Sequence, residues 1–183
     1  AHLSYVDIDN AKLIHDAVNI LAVNGYEHIY LLNSDEHLSI SQERTAAFHA
    51  AKEERALPVH DGDVVYARGS SADEGKHFAD GLLRKNVAFL TANTRLAEGV
   101  YAAAEAAGLE IGREVGVFAL GGEKNEKVTP NLAYASQDYA RLAKMAAKCL
   151  IKQLEGAIEE ETPAVETALI ASKIHFDSSV NRG

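Results

Sequence analysis

Between residues 87 and 122 the hydrophobic and polar positions fall into blocks that spell strand, helix, strand. Val-Ala-Phe-Leu-Thr-Ala at 87–92 is short, aliphatic and unbroken, which suits a strand buried on both faces of a parallel sheet. Asn93 then offers a side-chain oxygen to cap a helix. Leu96, Val100, Ala103, Ala104 and Ala107 recur on one side of that helix. Gly108 stands where a left-handed residue ends it, and Val115 to Leu120 form a second apolar run closed by Gly121-Gly122. Two strands joined by a helix run parallel through a right-handed crossover. Asn93 and Gly121 then lie at the carboxyl ends of neighbouring strands, where open α/β sheets bind ligands.

The remaining periodicities extend this pattern in both directions. A strand at 3–8 precedes a helix carrying Ile14, Ala17, Val18 and Leu21, which Gly25 terminates. Tyr-Glu-His-Ile-Tyr-Leu-Leu at 26–32 reads as the next strand, 33–40 as a polar loop, and 41–55 as a helix with Ala47, Phe48 and Ala51 facing inward. Residues 57–59 and 63–67 read as extended around an Asp61-Gly62 turn, followed by a helix at 73–84. This β-α-β-α-β-α-β-α-β order predicts a doubly wound parallel sheet. Residues 123–129 are charged and aperiodic, so they read as a linker. A short strand at 132–135 then leads into a helix at 137–154, whose apolar stripe of Leu142, Met145, Ala146, Cys149 and Leu150 opposes Arg141, Lys144, Lys148 and Lys152. The acidic run at 159–161 with Pro163 reads as surface loop, 165–176 as a final strand region, and the polar tail from Asp177 as frayed.

Composition narrows the function. The 183 residues hold 18 basic and 27 acidic side chains, a formal charge of −9 that opposes a nucleic-acid backbone, so the chain by itself is not expected to bind DNA. Its one cysteine, Cys149, excludes an internal disulfide and fits a reducing, cytoplasmic setting. No apolar run approaches the roughly twenty residues that cross a bilayer, so no membrane partner is expected. His37 and His60 sit beside acidic residues without zinc-type spacing, and no catalytic set or phosphate-cradling glycine motif occurs. Neither enzyme activity, metal nor cofactor is expected.

Four segments in order carry a family resemblance. They are Val6-Asp-Ile-Asp-Asn10 with Gly25-Tyr26; Arg44-Thr-Ala-Ala-Phe48; Thr91-Ala-Asn-Thr-Arg-Leu-Ala-Glu-Gly99 with Gly112-Arg-Glu-Val-Gly-Val117; and Thr129-Pro-Asn-Leu132. Together they resemble the effector-sensing core of the LacI/GalR transcription repressors, which share the type I fold of periplasmic sugar-binding proteins. The resemblance departs at Ala47, where glycine is usual, and at Thr94, where aspartate is usual. It implies one complete lobe and part of a second: 1–122 as C-terminal lobe, 123–156 as a segment returning to the N-terminal lobe, and 157–183 back in the first. The basic helix-turn-helix and the first half of the N-terminal lobe are not in this sequence.

By the same resemblance, a sugar or sugar phosphate binds in an interlobe cleft, operator DNA is contacted only through the missing N-terminal domain, and the protein is a homodimer. Arg44 would donate forked hydrogen bonds to effector oxygens; the competing reading is a surface ion pair with Glu43 or Asp35. Asn93 would hydrogen-bond a hydroxyl, or simply cap its helix. Gly121 stands where the family presents an aspartate. Leu38, Ile40, Val64 and Tyr66 fall near further effector-contacting positions, and Tyr66 offers a ring face to a sugar. A sugar receptor of a transport system is the alternative, with an enzyme on a flavodoxin-like or Rossmann-like sheet behind it.

Overall fold

The computed structural model describes residues 4–158 and 167–181. The chain divides into two compact units: Ala1–Asp9 with Gln137–Lys173, and Asn10–Ser136 with Ile174–Gly183. The resemblance placed boundaries at 122 and 156, whereas these units meet after residues 9, 136 and 173. Residues 123–136 and the C-terminal segment from Ile174 belong to the larger unit, and the first nine residues belong to the smaller.

The larger unit is built on a six-stranded sheet. Its strands are β2 (His28–Asn33), β3 (Val64–Tyr66), β4 (Val87–Thr91), β5 (Val115–Ala119), β6 (Ala133–Ser136) and β8 (Lys173–His175), in the order β3-β2-β4-β5-β6-β8. The pairs β2/β3, β2/β4, β4/β5 and β5/β6 are all parallel. Within this unit the helices are α1 (Asn10–Val23), α2 (Ser39–Glu54), α3 (Ala72–Leu82) and α4 (Thr94–Ala106). Strand alternation sorts the core into two layers. Ile29, Leu31, Ala88, Leu90, Phe118 and Leu120 pack with α1 and α2 through Ile14, Leu21 and Phe48. Tyr30, Leu32, Phe89, Val117 and Ala119 pack with Ala79 of α3 and Val100 and Ala103 of α4. Every residue of β4 and β5 is buried, as their unbroken apolar runs require of strands covered on both faces. Helices α3 and α4 approach so closely that a Cβ at Gly99 would lie 2.0 Å from the Ala72 carbonyl oxygen.

Connections explain where the sheet can hold a ligand. From β2 the chain steps outward to β3 and then returns to the other side of β2 to form β4. The winding thus reverses between β2 and β4, and the helices leaving their carboxyl ends, α2 and α4, lie on opposite faces of the sheet. At such a reversal the two following loops part and leave a crevice.

The smaller unit holds β1 (Tyr5–Ile8), α5 (Tyr139–Ile158) and β7 (Thr167–Ile170). Strands β1 and β7 pair in parallel, Tyr5 opposite Thr167 through Ile8 opposite Ile170. Asp138 caps the start of α5 by accepting the Arg141 N–H at 2.8 Å. Gln153 of α5 donates to Ser4 Oγ beside β1.

Several expectations change here. Strand β1 was placed in the main sheet by its position in the β-α order, yet it pairs with β7. Residues 57–59 form no strand, and the Asp61–Asp63 turn is a 3-10 helix leading directly into β3. The apolar stripe of α5 is narrower than its periodicity indicated: Cys149 is buried and Leu142 and Met145 half-buried, but Ala146 and Leu150 are exposed. The final strand region separates into β7 and β8. Residues 177–181 are anchored, not frayed. Ser179 Oγ donates to the Val117 carbonyl at 2.7 Å and accepts the Ala133 N–H at 2.7 Å, and Ser179 and Val180 are buried. The predicted surface loop at 159–161 with Pro163 lies outside the described residues.

Candidate effector site

Hydrogen bonds across the carboxyl ends of four strands define one rim of the larger unit. The Ala67 N–H donates to the Asn33 carbonyl at 3.0 Å, Ala92 to Leu32 at 2.8 Å, Leu120 to Thr91 at 2.8 Å, and Thr94 to Gly121 at 3.0 Å. These bonds carry the backbone without a break from the end of β3 across β2 and β4 to the end of β5. The rim therefore presents Tyr66, the first turns of α2, Asn93 and Gly121 in spatial order.

On one side of the β2/β4 crevice stands α2. Leu38 occupies its N-cap without offering a side-chain acceptor and is 48% exposed, while Ile40 is half-buried. Arg44 lies one turn in. It is only 4% exposed, and its Nε donates to Asn10 Oδ1 at 3.0 Å; Asn10 Nδ2 in turn donates to Glu43 Oε2 at 3.3 Å. Arg44 is thus a buried guanidinium in a polar network, not the exposed member of a surface pair. A buried guanidinium keeps a fixed orientation, which suits forked donation better than a mobile one does.

On the other side stands α4. Asn93 Oδ1 accepts the Leu96 N–H at 3.0 Å, so the side chain serves as the helix cap the sequence indicated. The cap uses the oxygen and leaves the amide nitrogen oriented by it. Gly121 is buried, with its carbonyl held by Thr94. Gly122 adopts φ +98°, a conformation that side chains rarely take, and a Cβ there would fall 2.6 Å from Thr94 Oγ1. With threonine at 94, this turn leaves no room for a side chain at 122.

Asn33, which the sequence reading left in a polar loop, turns out to join these parts. It is fully buried at the end of β2, and its Nδ2 donates to the Ser41 carbonyl at 2.8 Å and to Thr45 Oγ1 at 3.2 Å. Thr45 in turn shares a hydrogen bond of 2.9 Å with the Tyr66 hydroxyl. One amide thereby ties the first turns of α2 to the ends of β2 and β3, so that Arg44 and Tyr66 are carried on a single braced element. A polar residue ending a buried apolar run was the available signal.

Val64 and Tyr66 are half-buried and line an open cavity of about 650 Å³ together with Asp35, His37, Ala67 and Arg68. Leu38, Ile40, Arg44, Asn93 and Gly121 do not line it. Of the seven expected contact residues, two thus line the cavity beside β3, and the other five lie near the starts of α2 and α4 and after the end of β5. Among the described residues there is no group of three or more His, Cys, Asp or Glu arranged to hold a metal ion.

Comparison with known proteins places this architecture. The family model described as "periplasmic binding protein-like domain" matches residues 18–172. The chain belongs to that family. A curated relative, the HTH-type transcriptional regulator AglR of Rhizobium meliloti (strain 1021), is 30% identical over 118 residues, covering 63% of this chain and 33% of AglR. A regulatory protein of the LacI family from Chloroflexus aggregans has the same fold, with a TM-score of 0.84, 22% identity, and coverage of 98% of this chain and 64% of that one. A complex of the transcriptional regulator CelR with cellobiose gives a TM-score of 0.84 at 19% identity, over 97% of this chain and 54% of CelR. This chain therefore spans about a third of AglR and less than two thirds of these two structures. The fold is the one that the resemblance to LacI/GalR regulators implied. All three of these proteins are described as regulators.

Proposed function

We propose that this chain is the effector-sensing part of a sugar-responsive transcriptional repressor of the LacI/GalR type, acting as a homodimer in the cytoplasm. The larger unit corresponds to the C-terminal lobe, the smaller to part of the N-terminal lobe, and a separate DNA-binding domain contacts the operator. The observation that carries this reading is the reversal of strand order at β2/β4, with buried Arg44 on the helix after one strand and Asn93 at the start of the helix after the other. The regulator names of AglR and CelR, and the cellobiose in the CelR complex, support it.

In this mechanism Arg44 donates to paired hydroxyls or a phosphate of the effector, and Asn93 offers its amide to a further hydroxyl. Leu38 and Ile40 supply apolar contact. The regulatory effect comes from unequal affinity of the effector for two conformations of the repressor, because a ligand that binds both equally shifts nothing. Calorimetry of the full-length protein against a panel of sugars and sugar phosphates tests the site. Arg44→Ala should lower the affinity of the binding sugar by roughly tenfold to a hundredfold, the loss expected for hydrogen bonds from a charged group. Unchanged affinity would remove Arg44 from the site. A gel-shift titration of the full-length protein on its operator, with and without that sugar, tests the regulatory role.

A further inference from the structure

The cavity beside β3 lies one strand beyond the crevice, on the outer flank of the sheet. It follows β3 from Gly62 to Arg68 and meets the turn at 35–37 where it reaches the rim. Both of its walls at the rim are braced. Asp35 Oδ1 accepts the His37 N–H at 2.9 Å and shapes the turn. Across from it, the Glu74 carboxylate accepts the N–H groups of Arg68 at 2.6 Å and Gly69 at 2.8 Å, which fixes the strand exit. Tyr66, on the wall of the cavity, is tethered through its hydroxyl to Thr45 at 2.9 Å. Walls ordered beforehand reduce the entropy cost of binding.

The side chains on these walls combine acceptors, donors and an aromatic face: carboxylates at Asp35 and Glu36, an imidazole at His37, a guanidinium at Arg68 and the ring of Tyr66. Paired hydroxyls need acceptors and donors together, and a pyranose presents an apolar face to an aromatic ring. Two carboxylates beside one guanidinium disfavour a phosphate at this end. Distance decides how many rings are involved. Gly121 at the end of β5 and Tyr66 at the end of β3 are separated by three interstrand spacings, about 14 Å. A single pyranose ring, built of bonds of about 1.5 Å, spans about 6 Å including its hydroxyl oxygens. One ring held between Arg44 and Asn93 therefore leaves the cavity unfilled.

We infer that the effector is a saccharide of at least two units, with one ring in the β2/β4 crevice and the next, unphosphorylated, in the cavity between the 35–37 turn and Tyr66–Arg68. This rests on the sugar-sensor reading above and specifies its ligand. Sugar length is the test. The full-length protein is titrated calorimetrically with glucose, fructose and galactose, with maltose, cellobiose, trehalose, sucrose and lactose, and with maltotriose. At least one disaccharide or trisaccharide should bind about tenfold or more tightly than each of its component monosaccharides. Arg68→Ala and His37→Ala, whose side chains are exposed and whose folding is checked by thermal melting, should each narrow that ratio. A monosaccharide binding as tightly as every longer sugar that contains it, or variants that weaken short and long sugars by the same factor, would overturn the two-unit effector and leave the sugar sensor standing. If no saccharide of any length binds, the sensor reading falls and this inference falls with it.

Discussion

The two units bury their apolar residues very differently. In the larger, β4 and β5 are buried throughout, and helix layers on both faces leave side chains such as Ile14, Phe89 and Phe118 with no exposed surface. In the smaller, the buried hydrophobic residues among those described are Ile8, Cys149 and Ile170. Tyr5, Tyr139, Leu150, Ile151, Leu154 and Leu169 are each more than half exposed there. Both units contain parallel strands and an amphipathic helix, so local propensity does not separate them. What separates them is the number of layers. A helix stripe is removed from water only as far as a sheet extends beneath it, and two strands of four residues cover little of a twenty-residue helix. The larger unit has what an independent core needs, whereas the smaller has the components without the area.

Substitutions of matched chemistry can break this contrast. The largest effect should come from Phe118→Ala in β5, which removes a fully buried ring from the layer packed on α1 and α2 and should cost about 4 kcal/mol by urea denaturation. A loss below about 1 kcal/mol would mean that this layer is far less tightly packed than it looks.

Next is Lys52→Ala. Lys52 of α2 is 1% exposed, and its Nζ lies 2.5 Å from Asp63 Oδ2, an oxygen that also accepts the His60 N–H at 2.8 Å. Removing one partner strands a buried carboxylate and should cost about 3 kcal/mol, whereas Lys52→Met with Asp63→Leu should cost much less. Equal costs for the single and double variants would show that the pair contributes through packing and not through charge.

In the smaller unit Leu150→Ser should change stability by no more than about 0.5 kcal/mol, because Leu150 is 58% exposed. A loss comparable to that of Phe118→Ala would show that this face is covered in solution, and the contrast between the units would disappear.

The smallest effect concerns pH. The Ser178 N–H and the Lys124 ammonium both bond Asp177 and hold its carboxyl below the usual carboxylate range. A folded-state value below the unfolded one stabilises the protein above about pH 4, and that contribution is lost as pH falls through the lower, folded value. The difference in urea midpoint between the natural protein and Asp177→Asn should thus be present at pH 6 and shrink toward pH 3. A difference that stays constant across this range would exclude ionisation of Asp177 as its source.

Much of the larger unit could be read from residue order alone. The unbroken runs at 87–92 and 115–120 became β4 and β5, because a strand covered on both faces has no polar positions to spare. Asn93 capped α4, and Gly108 took φ +67° just beyond it, because both requirements are local to one helix end. Other features depended on partners distant in sequence. Nothing near residue 5 states that β1 pairs with a strand 162 positions on, and nothing in a polar tail announces that Ser179 will bond both β5 and β6. Asn33 and Lys52 have ordinary side chains for exposed positions. They are buried because α2 folds over β2, bringing Thr45 to Asn33 and Lys52 to Asp63 at the start of β3. Periodicity and capping thus determined which elements form, since those energies act over a few residues. Tertiary structure decided which strands are neighbours and which polar groups lose water, because a buried donor or carboxylate must take whatever partner the fold places within about 3 Å.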